Sequence, residues 1–221
     1  MKYSIDKKTG LKYREDTYDM FIIKEQRKEY NELFQRCKDH VVLDIGGNCG
    51  FFAYHCVKNG CKKVISYEPD PSNFDVLESQ DFHKEKRSEY HNIAIGPENG
   101  SINLYINQNK NKGMHSIIKV NGRPILEVPV RKFDEIVKEH NPRIMKMDIE
   151  GAELFLNWDE FPNFIDLIAI EIHNVKGKEK EAKKLLQFIE KRFPIKLYYH
   201  EDISFGRLVA YIFVGCKKDF I

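Results

Sequence analysis

With 221 residues, the chain is long enough for one sizeable α/β domain and too short for two comfortable ones. Charged residues make up 32% but cancel to a formal +2, so there is no basic excess of the kind that marks a nucleic-acid or membrane-surface binder. The five cysteines form neither a Cys-x-x-Cys pair nor a zinc spacing, and no apolar run approaches the roughly eighteen residues of a membrane span.

The start, Met1–Lys8, has no signal-peptide apolar core, and free thiols suit a reducing compartment, so a cytoplasmic protein is expected. Residues 1–20 are polar and without a period. With the helical stripe that follows from Phe21 to Cys37, they read as an N-terminal arm and cap helix, residues 1–40, on a single domain spanning 1–221. Val41–Ile45 is an apolar strand. Gly50–Lys58 reads as helix, stopped at Asn59-Gly60, and Lys63–Tyr67 as a second strand. Pro71 opens a helix to about Ser79, and Tyr90–Ile95 is a third strand closed by Gly96-Pro97.

Ser101–Ile106 alternates like a half-buried strand, and Leu126–Val130 is another short one. Phe133–His140 is a short helix. Arg143–Asp148 is the fourth sheet strand, with helix from about Gly151, and Asp166–Ile172 is the fifth. Gly177–Arg192 carries an apolar face, and Ile195–His200 and Leu208–Gly215 form an antiparallel pair around a turn containing Gly206. This alternation predicts an α/β, doubly wound, Rossmann-like sheet of seven mostly parallel strands with an antiparallel edge strand.

Ligands in such sheets lie beyond the carboxyl ends of the strands. There the chain places Asp44-x-Gly46-x-x-x-Gly50 and, after the second strand, Glu68. The layout holds an adenosine, with backbone approaching at the glycines and the carboxylate taking the ribose hydroxyls. Asn48 stands where a dinucleotide fingerprint wants its second glycine, and Asp44 near the turn suits a cationic ligand better than a diphosphate. S-adenosyl-L-methionine, with its ammonium and sulfonium, fits. A nicotinamide oxidoreductase is disfavoured by that spacing and by the antiparallel ending, which belongs to the class I methyltransferase version of the fold.

Further polar residues at strand ends are Asn92, Asp148 with Glu150, and Glu171 with His173. Residues two apart on a strand project to one side, about 6–7 Å apart. This rim is suited to orienting and deprotonating an acceptor hydroxyl, with His173 or Asp148 as base. It is also suited to an oxygen-liganded divalent ion such as Mg²⁺, which is not the favoured reading. A non-catalytic S-adenosylmethionine-binding or scaffold module would not need the rim. Cys49 in the glycine turn reads as a small residue fitting a tight turn rather than as a nucleophile. The long polar stretch Asn107–Arg123, with Lys110, Lys112, His115, Ser116 and Arg123, reads as a lid or acceptor-binding loop separate from the cofactor turns. The Asn-Pro-Pro-Tyr and Pro-Cys signatures of base methylation and the Walker motif are absent, so no nucleic-acid acceptor is expected.

Five motifs in order carry a family resemblance: Asp44–Gly50, Tyr67–Phe74, Asn92–Gly96, His115-Ser116 and Met145–Glu153. Together, from about Val41 to His173, they resemble the FkbM-type S-adenosylmethionine-dependent methyltransferases. Members methylate hydroxyls, often on sugars and other small molecules. The resemblance implies cofactor contacts at Asp44, Gly46, Asn48, Gly50, Glu68 and Asn92, with Pro69, Asn73, Ala94 and Asp148 in the same motifs. It places Asp148, Glu150 and His173 by the reacting centre, with His115 as a further catalytic candidate. Gly47 and Cys49 depart from the family, which usually shows Ala and a larger apolar residue there. The expected reaction is O-methylation of a sugar, glycan or similar small-molecule hydroxyl.

Overall fold

A computed structural model describes residues 2–112, 114–119, 121–204 and 207–220. The turn at Gly206 lies outside the described residues. In chain order the elements are β1 (Tyr3–Ile5), β2 (Lys12–Arg14), α1 (Asp19–Glu29), α2 (Asn31–Phe34), β3 (Val41–Ile45), α3 (Phe51–Lys58), β4 (Lys63–Tyr67) and α4 (Pro71–Glu78). There follow β5 (Ser88–His91), β6 (Ala94–Gly96), β7 (Gly100–Tyr105), β8 (Ile125–Lys132), α5 (Phe133–His140), β9 (Ile144–Met147), β10 (Leu167–His173), α6 (Glu179–Arg192), β11 (Ile195–Ser204) and β12 (Arg207–Cys216).

The central sheet has seven strands in the order β11-β12-β10-β9-β3-β4-β5. All pairings from β10 through β9, β3 and β4 to β5 are parallel, and β12 runs antiparallel to both β10 and β11. The antiparallel strand therefore sits one place in from the edge, which β11 forms. Chain order reverses between β3 and β9, so the crevice beyond their carboxyl ends is the switch point where such sheets take ligands.

Alternation along β3 sends Val42 to the core under α1–α3, while Leu43 and Ile45 join the opposite core under α5 and α6. Burying each such side chain contributes about 1.5–3 kcal/mol, which is why strands covered on both faces read as continuous apolar runs. The α4 helix starts sharply because Asp70 caps it, accepting from Ser72 N at 2.6 Å and Asn73 N at 3.1 Å, with Pro71 in the first position.

Three expectations are corrected. The strand expected over Tyr90–Ile95 breaks at Asn92-Ile93: β5 stays in the main sheet, while β6 joins a small sheet ordered β6-β8-β7. The Asn92 amide, which donates to Glu68 O at 2.8 Å and Pro69 O at 3.1 Å, fixes the chain at that crossing. The helix expected from Gly151 is a single 3-10 turn, Ala152–Phe155. Trp158 Nε1 occupies the Glu153 carbonyl at 2.8 Å, a carbonyl that a continuing helix would need. The stripe from Phe21 divides at Tyr30 into α1 and α2, and Phe21 points outward, 62% exposed. Within the arm, β1 and β2 pair antiparallel as a hairpin.

Candidate active site

At the end of β3, Asp44 lies directly beside Lys146 of β9 in the sheet register, and both are fully buried. Lys146 Nζ stands 3.4 Å from Asp44 Oδ1 and donates to Gly46 O at 2.5 Å, while Ser66 Oγ donates to Asp44 Oδ2 at 2.9 Å. Burial disfavours the ammonium, but Asp44 and Asp148 outweigh it and hold the Lys146 pKa above its ordinary value. Asp44 thus sits beneath the glycine turn as the partner of a buried lysine, and it does not line the cleft. The turn above is tight: Gly46 has φ +85°, and a Cβ there would fall 1.8 Å from Asp148 O, so no other residue fits.

A cleft opens above this turn, lined by Gly46, Asn48, Glu68, Pro69, Asn73, Ala94, His115, Asp148 and Glu150, with Ile45, Tyr67 and Ile149 among its apolar walls. Of the residues assigned to a cofactor from sequence, this cleft gathers seven: Gly46, Asn48, Glu68, Pro69, Asn73, Ala94 and Asp148. Asp44, Gly50 and Asn92 stand behind it. Gly50 starts α3 against Leu77, and the Asn92 amide is engaged by the backbone below Glu68.

Glu68 is the hub of the cleft floor. Its carboxylate accepts from Asn48 N at 2.8 Å, Asp70 N at 2.9 Å and Asn73 Nδ2 at 3.4 Å. Burial nevertheless pushes it up to about 7, against the pull of the Asp70 amide. Cys49 beside it is fully buried against Arg14 Nη2 at 3.0 Å, and burial raises its thiol well above the usual range, so it offers no thiolate.

The 107–119 segment closes over this cleft, which corrects the expected separation of the loop from the cofactor turns. Asn73 Nδ2 donates to Lys112 O at 3.0 Å, Ser116 Oγ donates to Glu150 O at 2.7 Å, and Ile118 packs where a Gly151 Cβ would be. His115 Nδ1 accepts from Asn107 N at 2.8 Å, leaving the proton on Nε2, which lies 3.1 Å from Asp70 Oδ2 without hydrogen-bond geometry. Burial lowers this imidazole below the usual histidine range. His115 is therefore a latch between the loop and the β4–α4 turn, apart from His173.

A second cleft of about 250 Å³ adjoins the first, lined by Gln26, Tyr30, Glu171 and His173 among others. Asn48, Asp148 and Glu150 line both, so the two clefts meet at these residues. Here the structure brings together Asp148, Glu150 and His173, each with one ligand-capable atom within 4.8 Å of the others. His173 Nε2 lies 3.5 Å from both Glu150 Oε2 and Glu171 Oε1. Its Nδ1 is 3.2 Å from Glu153 Oε1, and its backbone N donates to the same oxygen at 2.6 Å. Burial opposes the imidazolium, but Glu153 and Glu150 overcome it and hold the pKa well above the ordinary value. Burial likewise pushes Glu150 up to about 7.

Sequence reading missed three contributors to the site. Lys146 was signalled by a lysine between Met145 and Met147 in a strand that is otherwise apolar. Glu153 closes the Met145–Glu153 motif, but its role as the fully buried anchor of His173 is not read from it, and Arg14, fully buried beneath the glycine turn, is marked by no local pattern.

The methyltransferase FkbM domain model matches residues 44–193, which contain the glycine turn, the whole lining of the first cleft, and Glu171 and His173 of the second. The chain belongs to the FkbM methyltransferase family. Among solved structures, the chain is similar to a methyltransferase FkbM of Methylobacillus flagellatus, with 18% identity and a TM-score of 0.51. That match covers 79% of this chain and 43% of the other, so the chain spans less than half the length of that relative. The precorrin-6y C5,15-methyltransferase of Geobacter metallireducens shares 10% identity over 98% of this chain and 95% of its own, with a TM-score of 0.46. TYW2 of Pyrococcus horikoshii in complex with MeSAdo shares 14% identity over 96% of this chain and 70% of its own, with a TM-score of 0.47. At these identities the likeness concerns the fold alone. No curated protein matches the chain. Among the described residues, no helix is long and apolar enough to cross a membrane.

Proposed function

We propose that the protein transfers the methyl group of S-adenosylmethionine to a hydroxyl of a sugar, glycan or similar small molecule. The observation carrying this reading is the junction of two clefts at Asn48, Asp148 and Glu150, one floored by the glycine turn and Glu68, the other walled by Glu171 and His173. The cofactor takes the first cleft. Its ribose hydroxyls donate to Glu68, and its methionine end lies along Gly46 and Asn48, with Pro69, Asn73 and Ala94 shaping the adenosine side. The acceptor takes the second cleft, and the methyl group passes between them.

In this reading the acceptor oxygen attacks the methyl carbon in line with the sulfonium. The O–C bond forms as the S–C bond breaks, its electron pair stays on sulfur, and the hydroxyl proton leaves to a base. Alignment supplies most of the acceleration, and the base raises the nucleophilicity of a weakly acidic alcohol. Asp148 is the base by position, since it lines both clefts, whereas His173 lines only the second. His173, held by Glu153, fixes the carboxylates around the acceptor.

The test is acceptor-dependent formation of S-adenosylhomocysteine, with the methylated product located by mass spectrometry, across panels of glycosides, amines and oligonucleotides. Methyl ether formation on a glycoside or comparable alcohol is expected. Turnover confined to oligonucleotides or to amines overturns the acceptor assignment.

A further inference from the structure

The second cleft has an unusual charge balance. Glu29, Asp148, Glu150, Glu171 and Asp202 line it, and among its described lining residues there is no lysine or arginine. Gln26, 8% exposed, lines the same cleft, and its Oε1 has no hydrogen-bond partner. Asn48 Oδ1, at the junction of the clefts, is likewise buried and unpartnered. Gln26 and Asn48 both border this cleft and each carries a buried oxygen acceptor without a donor, which costs free energy that a bound cation nearby would relieve.

His173 gives this arrangement direction. Its Nδ1 is held by the fully buried Glu153, which turns Nε2 toward Glu150 and Glu171 at 3.5 Å each. A carboxylate behind one imidazole nitrogen, with the other nitrogen facing oxygen donors, is how proteins orient a metal-binding histidine. The donor atoms of Asp148, Glu150 and His173 all lie within 4.8 Å of one another. Two metal–ligand bonds of about 2.1–2.4 Å span at most about 4.2–4.8 Å, so the three donors lie at the outer limit for a shared ion, which side-chain rotation would draw inward. Carboxylates with a single imidazole and no thiolate suit a hard ion of the Mg²⁺ or Mn²⁺ class.

We propose that the second cleft binds one divalent cation of the Mg²⁺/Mn²⁺ class through Asp148, Glu150 and His173 Nε2, which gives up its proton to solvent as the ion binds, with Glu171 and Gln26 bordering it. Its role rests on the methyl-transfer reading above. Three protein ligands leave positions for acceptor oxygens, so the site selects acceptors presenting two adjacent oxygens, such as vicinal diols. The ion acidifies the bound hydroxyl, and the second oxygen of Asp148 remains to take the proton.

Mn²⁺ titration followed by electron paramagnetic resonance tests this on the full chain, stripped with chelator and supplied with S-adenosylhomocysteine. One Mn²⁺ per chain is expected, displaced by Mg²⁺. Glu150→Gln and His173→Gln should each weaken it at least tenfold, and His173→Gln, at a residue outside the first cleft, should leave S-adenosylhomocysteine affinity within about threefold. Pulsed resonance on the parent protein should show one directly coordinated imidazole nitrogen, a readout that needs no variant to fold. Absence of Mn²⁺ binding at millimolar concentration, equal binding by both variants, or no nitrogen coupling overturns the site. Full methyl transfer in excess chelator overturns the ion's role and leaves the methyltransferase reading standing. Mn²⁺ binding of the expected kind, with no transfer to any hydroxyl, sinks that reading and leaves the metal site in place.

Discussion

At the scale of single residues, two carboxylates have separable duties. Asp148 lies where the clefts meet, and on the proposed reading its contribution is expressed in the transition state more than in cofactor binding. Asp148→Asn should lower turnover roughly a hundredfold or more while leaving cofactor affinity nearly intact; retention within about tenfold under saturating substrates removes Asp148 from the base role. Glu68 is different, because burial pushes its carboxyl up to about 7 in the free protein. A raised pKa means that the folded state holds the proton more tightly than the unfolded chain. Its stabilising contribution is therefore complete below the ordinary value of 4.5 and is lost as pH rises through about 7. Cofactor binding runs the opposite way, since the ionised carboxylate is the better acceptor for ribose hydroxyls. Affinity for S-adenosylhomocysteine should thus rise from pH 5.5 to about 7, level off above, and lose this slope in Glu68→Gln. Calorimetry in buffers of different ionisation enthalpy would detect the released proton, and a flat profile in the parent protein would refute the assignment.

At the scale of elements, the parallel strands were the most legible part of the sequence. β3 and β4 match their expected limits because both are buried on two faces and end at glycine or an acid. What could not be read is settled by distant partners. The break between β5 and β6 depends on carbonyls of Glu68 and Pro69, and the shortened turn after β9 depends on Trp158. Asp44 looked like a ligand group because its neighbour Lys146 is 102 positions away and meets it only through sheet register. The same dependence on distant partners reassigns the loop before β8, which reaches the cofactor side through Lys112, His115 and Ser116. Deleting residues between Asn107 and His115 should raise the cofactor Kd at least tenfold, measured by calorimetry. Unchanged cofactor affinity with impaired acceptor use would restore the loop to the acceptor alone.

Across the whole molecule, the N-terminal arm is wired into the family domain rather than appended to it. Arg14 at the end of β2 is fully buried, donating to Asp19 at 2.8 and 2.9 Å, to Asn73 Oδ1 at 2.9 Å and to Cys49 Sγ at 3.0 Å. Gln80 adds a second tie, donating to Lys12 O and to Cys49 O at 2.9 and 3.0 Å while accepting from Lys12 N. The underside of the glycine turn is therefore built from the arm, α1 and α4 together. Removing one member of a buried ion pair leaves the other charge without compensation, at a typical cost of about 3–5 kcal/mol. Arg14→Leu should lower unfolding stability by about that amount, and Arg14→Leu combined with Asp19→Leu by less, because the stranded charge is then gone. Loss of Arg14 also uncovers one side of Cys49, which is fully buried in the parent protein. The single variant should thus react with a thiol reagent at Cys49 under native conditions and bind S-adenosylhomocysteine more weakly, because Asn73 is bonded to both Arg14 and Glu68. Urea denaturation, mass-mapped thiol labelling and calorimetry read the three effects separately. Lost stability with Cys49 still protected and cofactor affinity unchanged would make the arm a clamp on the fold with no hold on the site.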